Sequence, residues 1–219
     1  MTSAIYIGEN VRETDERLAG LVRSLEEGGC ACHIIRNGET LKDDTDLILS
    51  VGGDGTFLSV ARLVADSAIP VVGVNLGRLG FLSENRPEDV AAAILSNDYT
   101  IEDRSLLTVE LSDSCMDEAA DCWPYALNEM TVHRSGAAML GVEVSIDGKK
   151  LPTYWADGLI VSTSSGSTAY SLSAGGPIVL PQSKVLIVAP IAPHNLNIRP
   201  LVVPDTSKIG LKMYSRDRN

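Results

Sequence analysis

A glycine-rich turn directly after a buried strand constrains the fold of this chain more than any other segment. The apolar run Leu47–Leu49 leads into the sequence Gly-Gly-Asp-Gly-Thr at 52–56, and helical spacing predicts a helix over 57–65. Because the glycines lack a Cβ atom, their backbone N–H groups can approach a ligand closely, and the helix adds a positive dipole end. The segment therefore predicts a phosphate site in which Asp54 holds a metal ion or takes a proton from an attacking hydroxyl.

The first hundred residues alternate between strand and helix patterns. Apolar runs predict strands over 4–7, 30–35, 47–51 and 70–74, and helical spacing predicts helices over 14–27, 57–65 and 87–95. This βαβ rhythm is typical of a parallel sheet flanked by helices, so we predict a Rossmann-like α/β domain over 1–104. Ligands of such sheets bind beyond the carboxyl ends of the strands, where the turn at 52–56 and a second glycine-containing loop at 75–82 would lie.

After Arg104 the pattern changes to short strands separated by turns. Strands are predicted over 106–111, 126–133, 142–146, 158–162, 185–189 and 201–203, and Asp147-Gly148 marks a hairpin. We therefore predict a second, all-β domain of β-sandwich type over 105–219.

The charge balance limits the partners of the chain. With 18 Lys and Arg against 29 Asp and Glu, the net charge is −11, which argues against nonspecific binding of nucleic acid or anionic membranes. No apolar run approaches the roughly 20 residues of a membrane span, and no signal peptide is recognised. The four cysteines fit no zinc pattern, so free thiols in a cytoplasmic protein are predicted. Basic side chains near the loops are limited to Arg78, Arg104 and Arg199.

Three polar features stand out in the second half. Asn128-Glu129 interrupts an apolar strand, Asp157-Gly158 precedes another strand, and a hydroxyl-rich run covers 162–177. Taken singly, they also fit a strand end, an ordinary turn and a linker, although apolar residues within the run disfavour a linker. No Walker A sequence and no Gly-x-Gly-x-x-Gly after the first strand are present, which excludes an ordinary P-loop enzyme and an ordinary dinucleotide-dependent dehydrogenase. The three histidines are scattered and are interpreted as structural or surface residues.

Together these motifs resemble the NAD kinase family, over residues 50–204. The resemblance implies transfer of the γ-phosphoryl group of ATP to the 2′-hydroxyl of the adenosine ribose of NAD, giving NADP and ADP. The matching segments are Gly52-Gly53-Asp54-Gly55-Thr56, Asn75-Leu76-Gly77 with Gly80-Phe81-Leu82, Asn128-Glu129, Asp157-Gly158, the run from Gly166 to Ser171, Gly175-Gly176-Pro177, Pro193-His194 and Arg199-Pro200.

The resemblance also implies roles for single residues. Asp54 would be the general base or the orienter of the hydroxyl. Asn128 would contact adenine, Glu129 would contact the ribose hydroxyls, and Tyr170 would stack on a base. The other residues implied in NAD binding are Gly55, Asp157, Ser165, Thr168, Ala169, Ser171, Leu172 and Ser173, and those at the ATP phosphates are Gly52, Gly53, Gly55 and Thr56. Mg²⁺, or another divalent cation, would be held through the ATP phosphates with no protein ligand, and a homodimer or homotetramer is implied.

The chain departs from the family pattern at two points. Thr163-Ser164 replaces the usual Thr-Pro, and the family continues through further strands beyond the position of Asn219, so the second domain is expected to be incomplete. Two alternatives stay open. One is a catalytically silent relative that binds NAD or another nucleotide. The other is a lipid kinase that shares the Gly-Gly-Asp-Gly-Thr loop, although such a kinase would not account for Asn128-Glu129 and the hydroxyl-rich run.

Overall fold

A computed structural model describes residues 1–65, 67–77, 80–112, 123–195 and 197–215 of the chain, which divides into two compact units, Met1–Ile101 and Glu102–Asn219. The first unit is built on a four-stranded parallel sheet in the order β2-β1-β3-β4. These strands are β1 (Thr2–Ile7), β2 (Ala31–Ile35), β3 (Leu47–Val51) and β4 (Val71–Val74).

Three helices cover the two faces of this sheet: α1 (Glu16–Glu27), α2 (Asp54–Val64) and α3 (Pro87–Ser96). Alternate strand residues point to opposite faces, so Ile5 and Leu49 pack with α1 and α3, whereas Tyr6 and Ile48 pack with Val60 of α2. The predicted α/β architecture with a parallel sheet is confirmed.

Helix α2 begins three residues earlier than the sequence pattern predicted. Gly53 is its N-cap, and the Gly53 carbonyl accepts from the N–H groups of Thr56 and Phe57 at 2.9 and 3.2 Å. Asp54 therefore lies in the first helical turn, where the helix dipole favours a negative charge, and not at the centre of a free loop.

The second unit contains antiparallel sheets. One has the order β13-β12-β11-β7, another has the order β10-β8-β14 with β9 pairing to β8, and β5 pairs with β6. The strands are β5 (Leu107–Thr108), β6 (Tyr125–Ala126), β7 (Glu129–His133), β8 (Leu140–Ile146), β9 (Lys149–Lys150), β10 (Tyr154–Ala156), β11 (Gly158–Thr163), β12 (Val185–Ile191), β13 (Leu201–Pro204) and β14 (Ile209–Ser215).

The two larger sheets share one core. Val142 and Tyr154 of one sheet pack with Leu159 and Val188 of the other, as in two packed sheets. The predicted all-β character of the second half is confirmed, and its sheets are antiparallel. The sequence analysis did not predict strands β10 and β14. It predicted a strand over 106–111, whereas the observed strand β5 covers only Leu107–Thr108.

Some sequence features lie outside the described residues. They are Arg78, Cys115 and Cys122. Cys30 and Cys32 are described, and both are free thiols. Within the described part of the chain, no helix has the length and apolar character needed to span a membrane.

Candidate functional site

The Asp54 carboxylate accepts three hydrogen bonds from successive backbone N–H groups. Phe81 donates to Oδ2 at 3.0 Å, and Leu82 and Ser83 donate to Oδ1 at 2.9 and 3.0 Å. Successive N–H groups form a concavity suited to an anion, and hydrogen bonds to a carboxylate are strong. Because an ionised carboxylate offers about four lone-pair sites, roughly one remains, on Oδ2, for a ligand.

The glycines of the turn at 52–56 differ in their surroundings. Gly52 has φ +154°, and a Cβ atom there would lie 2.3 Å from Thr56 Oγ1. Gly8 is equally close, because a Cβ atom there would lie 2.4 Å from the same oxygen. Thr56 is thus packed against two glycine backbones. Gly53 and Gly55 are exposed, and no atom of the described residues lies within 4 Å of an added Cβ atom, so their backbone is open to a ligand.

The polar pair Asn128-Glu129 lies between β6 and β7 and at the start of β7, and it carries buried oxygens without a partner. Asn128 Oδ1 and Glu129 Oε2 accept no hydrogen bond from the residues that the structure describes. Burial raises the pKa of the Glu129 carboxyl, and the backbone N–H of Tyr170, which donates to this carboxylate, opposes that shift. Buried polar atoms in native proteins nearly always have partners, so these two oxygens require explanation.

The hydroxyl-rich run is a fixed turn and not a linker. After β11 it forms a 3₁₀ helix, Ser165–Thr168, and a short helix α4, Tyr170–Ser173. Gly166 fits against the Asn128 carbonyl oxygen, which would lie 2.2 Å from an added Cβ atom. Four hydroxyls of the run donate to backbone carbonyls: Ser162 to Thr163 at 3.0 Å, Thr163 to Leu127 at 2.5 Å, Ser164 to Pro181 at 2.8 Å and Ser167 to Val179 at 3.2 Å.

Ser165 Oγ and Ser171 Oγ of this run are buried and have no partner within the described part of the chain. Ser171 Oγ faces Gly176, where an added Cβ atom would lie 2.3 Å away. In the described part of the second unit, every buried side-chain polar atom without a partner belongs to Asn128, Glu129, Ser165 or Ser171. Such atoms also occur in the first unit, at Ser3, His33, Thr45, Ser50 and Ser83. The four in the second unit lie on two segments that contact each other, because Gly166 packs on the Asn128 carbonyl and the Tyr170 N–H donates to Glu129.

An open cavity of about 430 Å³ adjoins this region. Its lining consists of His133, Arg134, Ser135, Gly136, Asp157, Tyr170 and Ile191. Arg134 Nε lies 2.8 Å from Asp157 Oδ1, and Arg134 Nη1 donates to the Gly136 carbonyl at 2.7 Å. His194 Nε2 lies 3.9 Å from the same Asp157 oxygen. Asp157 thus lies between two basic side chains at the edge of a ligand-sized space.

The sequence analysis assigned no site role to the residues around Asp157. It interpreted His133 and His194 as structural or surface residues, although Pro193-His194 was among the segments that match the family pattern. Strand register brings them together, because Gly158 pairs with His133 of β7 on one side and with Ile191 of β12 on the other. The antiparallel pairing of three predicted strands was the only signal that could have found them. Of the predicted set, Asp157 and Tyr170 line the cavity, whereas Thr168, Ala169, Leu172 and Ser173 belong to the adjoining turn and do not line it.

No group of three or more His, Cys, Asp or Glu side chains that could hold a metal ion occurs among the described residues. A divalent cation held through ATP phosphates therefore stays a prediction.

Comparison with known proteins gives a consistent result for both units. A family model of the ATP-NAD kinase N-terminal domain matches residues 12–97, and one of the ATP-NAD kinase C-terminal domain matches residues 127–219. A Porphyromonas gingivalis NAD kinase is 39% identical over 238 aligned positions, covering 99% of this chain and 81% of the relative. A Bacteroides fragilis NAD kinase is 46% identical over 180 residues, covering 80% of this chain. The chain spans only 61% of the length of that relative.

Solved structures of similar fold come from a eukaryote and an archaeon. Yeast NADH kinase complexed with NADH matches with a TM-score of 0.80 at 28% identity, covering 96% of this chain and 71% of the yeast chain. An NAD kinase from Archaeoglobus fulgidus in complex with ATP matches with a TM-score of 0.73 at 28% identity, covering 100% of this chain and 85% of the archaeal chain. These matches disfavour the lipid-kinase alternative.

Proposed function

Because the chain belongs to the NAD kinase family, we propose that it phosphorylates the 2′-hydroxyl of the adenosine ribose of NAD with ATP, giving NADP and ADP. The observation that carries this proposal is the grouping of four partnerless buried oxygens at Asn128, Glu129, Ser165 and Ser171. The family resemblance assigns all four positions to NAD. A buried polar group without a partner costs about 1–3 kcal/mol, so a polar ligand that supplies partners binds favourably there.

The chemistry of these atoms fits a nucleoside. The amide oxygen of Asn128 can accept from the exocyclic amine of adenine, and the Glu129 carboxylate can accept from ribose hydroxyls. The Ser165 hydroxyl can donate or accept, and Tyr170, which is 39% exposed, offers an aromatic ring to a base. Asp157 belongs to the same proposed site. Thr168, Ala169, Leu172 and Ser173 would shape the turn around the ligand.

Asp54 would act on the reacting hydroxyl. As the O2′–P bond forms and the bond between the β,γ-bridging oxygen and the γ-phosphorus breaks, the hydroxyl proton passes to Asp54 and then to solvent. The open backbone at Gly53 and Gly55 supports a role of this turn at the phosphates. Phosphoryl transfer depends mainly on positioning and on charge neutralisation. A divalent cation on the ATP phosphates would supply the neutralisation.

We also propose that the protein works in the cytoplasm as a homodimer or homotetramer.

The decisive experiment incubates the chain with ATP, Mg²⁺ and NAD and detects NADP with an NADP-specific dehydrogenase. We expect NADP formation, and calorimetry should give NAD binding with the same sample. NAD binding without NADP would favour the catalytically silent alternative, and absence of both would contradict the proposal.

The Asp54→Asn variant tests the role of the carboxylate. We expect turnover to fall by roughly 10²–10⁴-fold, the usual contribution of a general base, with NAD affinity retained. Asp98→Asn is the matched control, because Asp98 is an exposed carboxylate just after α3. Near-normal turnover of the Asp54→Asn variant would show that another group takes the proton.

A further inference from the structure

We propose that Gly80 and the backbone amides of Phe81, Leu82 and Ser83 form a device that positions the Asp54 carboxylate, with Gly80 as the residue that leaves room for it. This inference rests on the proposed function, because it concerns the carboxylate that would act on the hydroxyl. Segment 80–83 is defined here as the amide cradle.

The amide cradle is fixed to the sheet of the first unit. Its ends are joined by the Gly80 N–H, which donates to the Ser83 carbonyl at 3.2 Å. It is packed directly on β4, because a Cβ atom at Gly73 would lie 2.1 Å from the Leu82 carbonyl oxygen and 2.8 Å from Ser83 Cα. The Asn75 side-chain amide also donates to the Ser83 carbonyl, at 3.2 Å. Leu82 and Ser83 are therefore anchored to the sheet, and the bond between Gly80 and Ser83 closes the turn that carries Phe81, which opposes any movement of the three N–H groups after a displaced carboxylate.

At Gly80 the amide cradle lies so close to the Asp54 carboxylate that a side chain larger than hydrogen does not fit. A Cβ atom there would lie 2.2 Å from Asp54 Oδ1 and 2.7 Å from Asp54 Cγ. Real Cβ atoms do not approach other atoms this closely, so one side must move. The amide cradle is anchored, whereas the carboxylate ends a short side chain that is only half-buried. An added methyl group would therefore displace the carboxylate and leave the fold in place.

Displacement of the Asp54 carboxylate should slow the reaction, because the proposed proton transfer depends on the orientation of this group. Three of its roughly four lone-pair sites are taken by the cradle, so its orientation is set and one direction on Oδ2 stays open. A misplacement of about 1 Å can reduce the rate of an enzymatic step by about 10²-fold. The amide cradle therefore acts through Asp54 on the chemical step and not through substrate binding.

The test compares two alanine variants of the same loop region. We expect Gly80→Ala to lower kcat by about 10²-fold, with the KM for NAD and the thermal midpoint little changed. Gly77→Ala is the matched control, because among the described residues its Cβ atom would meet only Asn75 Oδ1, at the ordinary contact distance of 3.9 Å. A Gly80→Ala enzyme with the kcat of the control would overturn the proposal, and so would a loss confined to KM.

A double-mutant cycle tests whether Gly80 acts through Asp54. In the Asp54→Asn background, Gly80→Ala should lower the residual rate by less than about twofold, since interacting residues are not additive. A full further loss in that background would show that Gly80 acts by another route.

Hydrogen exchange separates this inference from the proposed function. In Asp54→Ala the amides of Phe81, Leu82 and Ser83 lose their acceptor, so we expect faster exchange there than in the unmodified chain. Exchange at Gly77 serves as the internal reference, because its N–H donates to Asn75 Oδ1 and not to Asp54. Faster exchange without any NADP formation by the unmodified chain would refute the proposed function and leave the cradle supported. Unchanged exchange would refute the cradle itself.

Discussion

The phenol ring of Tyr170 stacks on the imidazole of His133, with ring centroids 5.9 Å apart and planes 7° from parallel. Tyr170 begins α4, and His133 ends β7, so the pair joins the hydroxyl-rich turn to the sheet beside Asp157. Both rings line the cavity of the second unit.

Removal of the Tyr170 ring should weaken NAD binding. Aromatic stacking contributes about 0.5–1.5 kcal/mol beyond the buried area, so we expect Tyr170→Ala to raise the dissociation constant for NAD several-fold, while Tyr170→Phe stays near the unmodified value. Calorimetry measures both. Tyr99→Ala is the matched control, because Tyr99 is similarly exposed, at 46% against 39% for Tyr170. Equal affinities of the Tyr170→Ala and Tyr99→Ala proteins would contradict the assignment.

The Glu129 carboxyl should make stability depend on pH in a defined direction. Burial raises its pKa in the folded state above the ordinary value of 4.5. The folded protein then binds the proton more tightly than the unfolded chain, so this contribution to stability is full below about pH 4.5 and is lost as pH rises through the folded pKa. Glu129→Gln removes this loss, so it should be more stable than the unmodified chain at pH 7, with the difference shrinking toward pH 4.5.

Denaturant unfolding at several pH values measures this difference, and NAD affinity is followed in parallel. Glu129→Gln should bind NAD more weakly, because an amide replaces the carboxylate that we propose accepts from ribose hydroxyls. A stability difference that is constant across pH would show that Glu129 is not the titrating group.

The ion pair between Arg134 and Asp157 should affect binding more than stability. Both side chains are about one-third exposed and their closest atoms are 2.8 Å apart, and pairs of this kind contribute about 0–1 kcal/mol to folding. Arg134→Ala should therefore lower the thermal midpoint little, while several-fold weaker NAD binding follows from the lost orientation of Asp157.

Arg17→Ala is the control for this variant, because Arg17 pairs with Asp15 at the same distance of 2.8 Å in the first unit. Equal effects of the two substitutions on NAD affinity would show that Arg134 has no role in NAD binding.

Two glycines should respond to alanine with opposite signs. Gly166 lies against backbone, with the Asn128 carbonyl oxygen 2.2 Å from an added Cβ atom, so Gly166→Ala should destabilise by about 1–3 kcal/mol through overpacking. Gly20 lies inside α1 with nothing within 4 Å of its added Cβ atom, so Gly20→Ala should stabilise by about 0.5–1 kcal/mol. Chemical denaturation measures the free energy of unfolding of both variants. An unchanged value for Gly166→Ala would mean that the Asn128 backbone can move aside at little cost.

Local patterns predicted the elements of the fold better than they predicted the site. The run at 47–51 is a strand because it is apolar throughout, and Gly28 ends α1 as expected for a helix C-terminus. The start of α2 was placed too late, because Gly53 and Asp54 read as turn residues until the capping contacts are known. Strand register places His133 beside Asp157. The N–H groups that donate to Asp54 come from residues 27–29 positions further along the chain. No local sequence pattern encodes either arrangement.

The four partnerless oxygens of the second unit also bear on how long this protein would survive in a cell. A ligand that binds only the folded state stabilises it by about 2.7 kcal/mol at one hundred times its dissociation constant. Proteases act mainly on unfolded or locally opened chains. If NAD, the proposed substrate, supplies the missing partners of Asn128 and Glu129, the abundance of the protein should follow the supply of NAD, with degradation fastest when NAD is scarce.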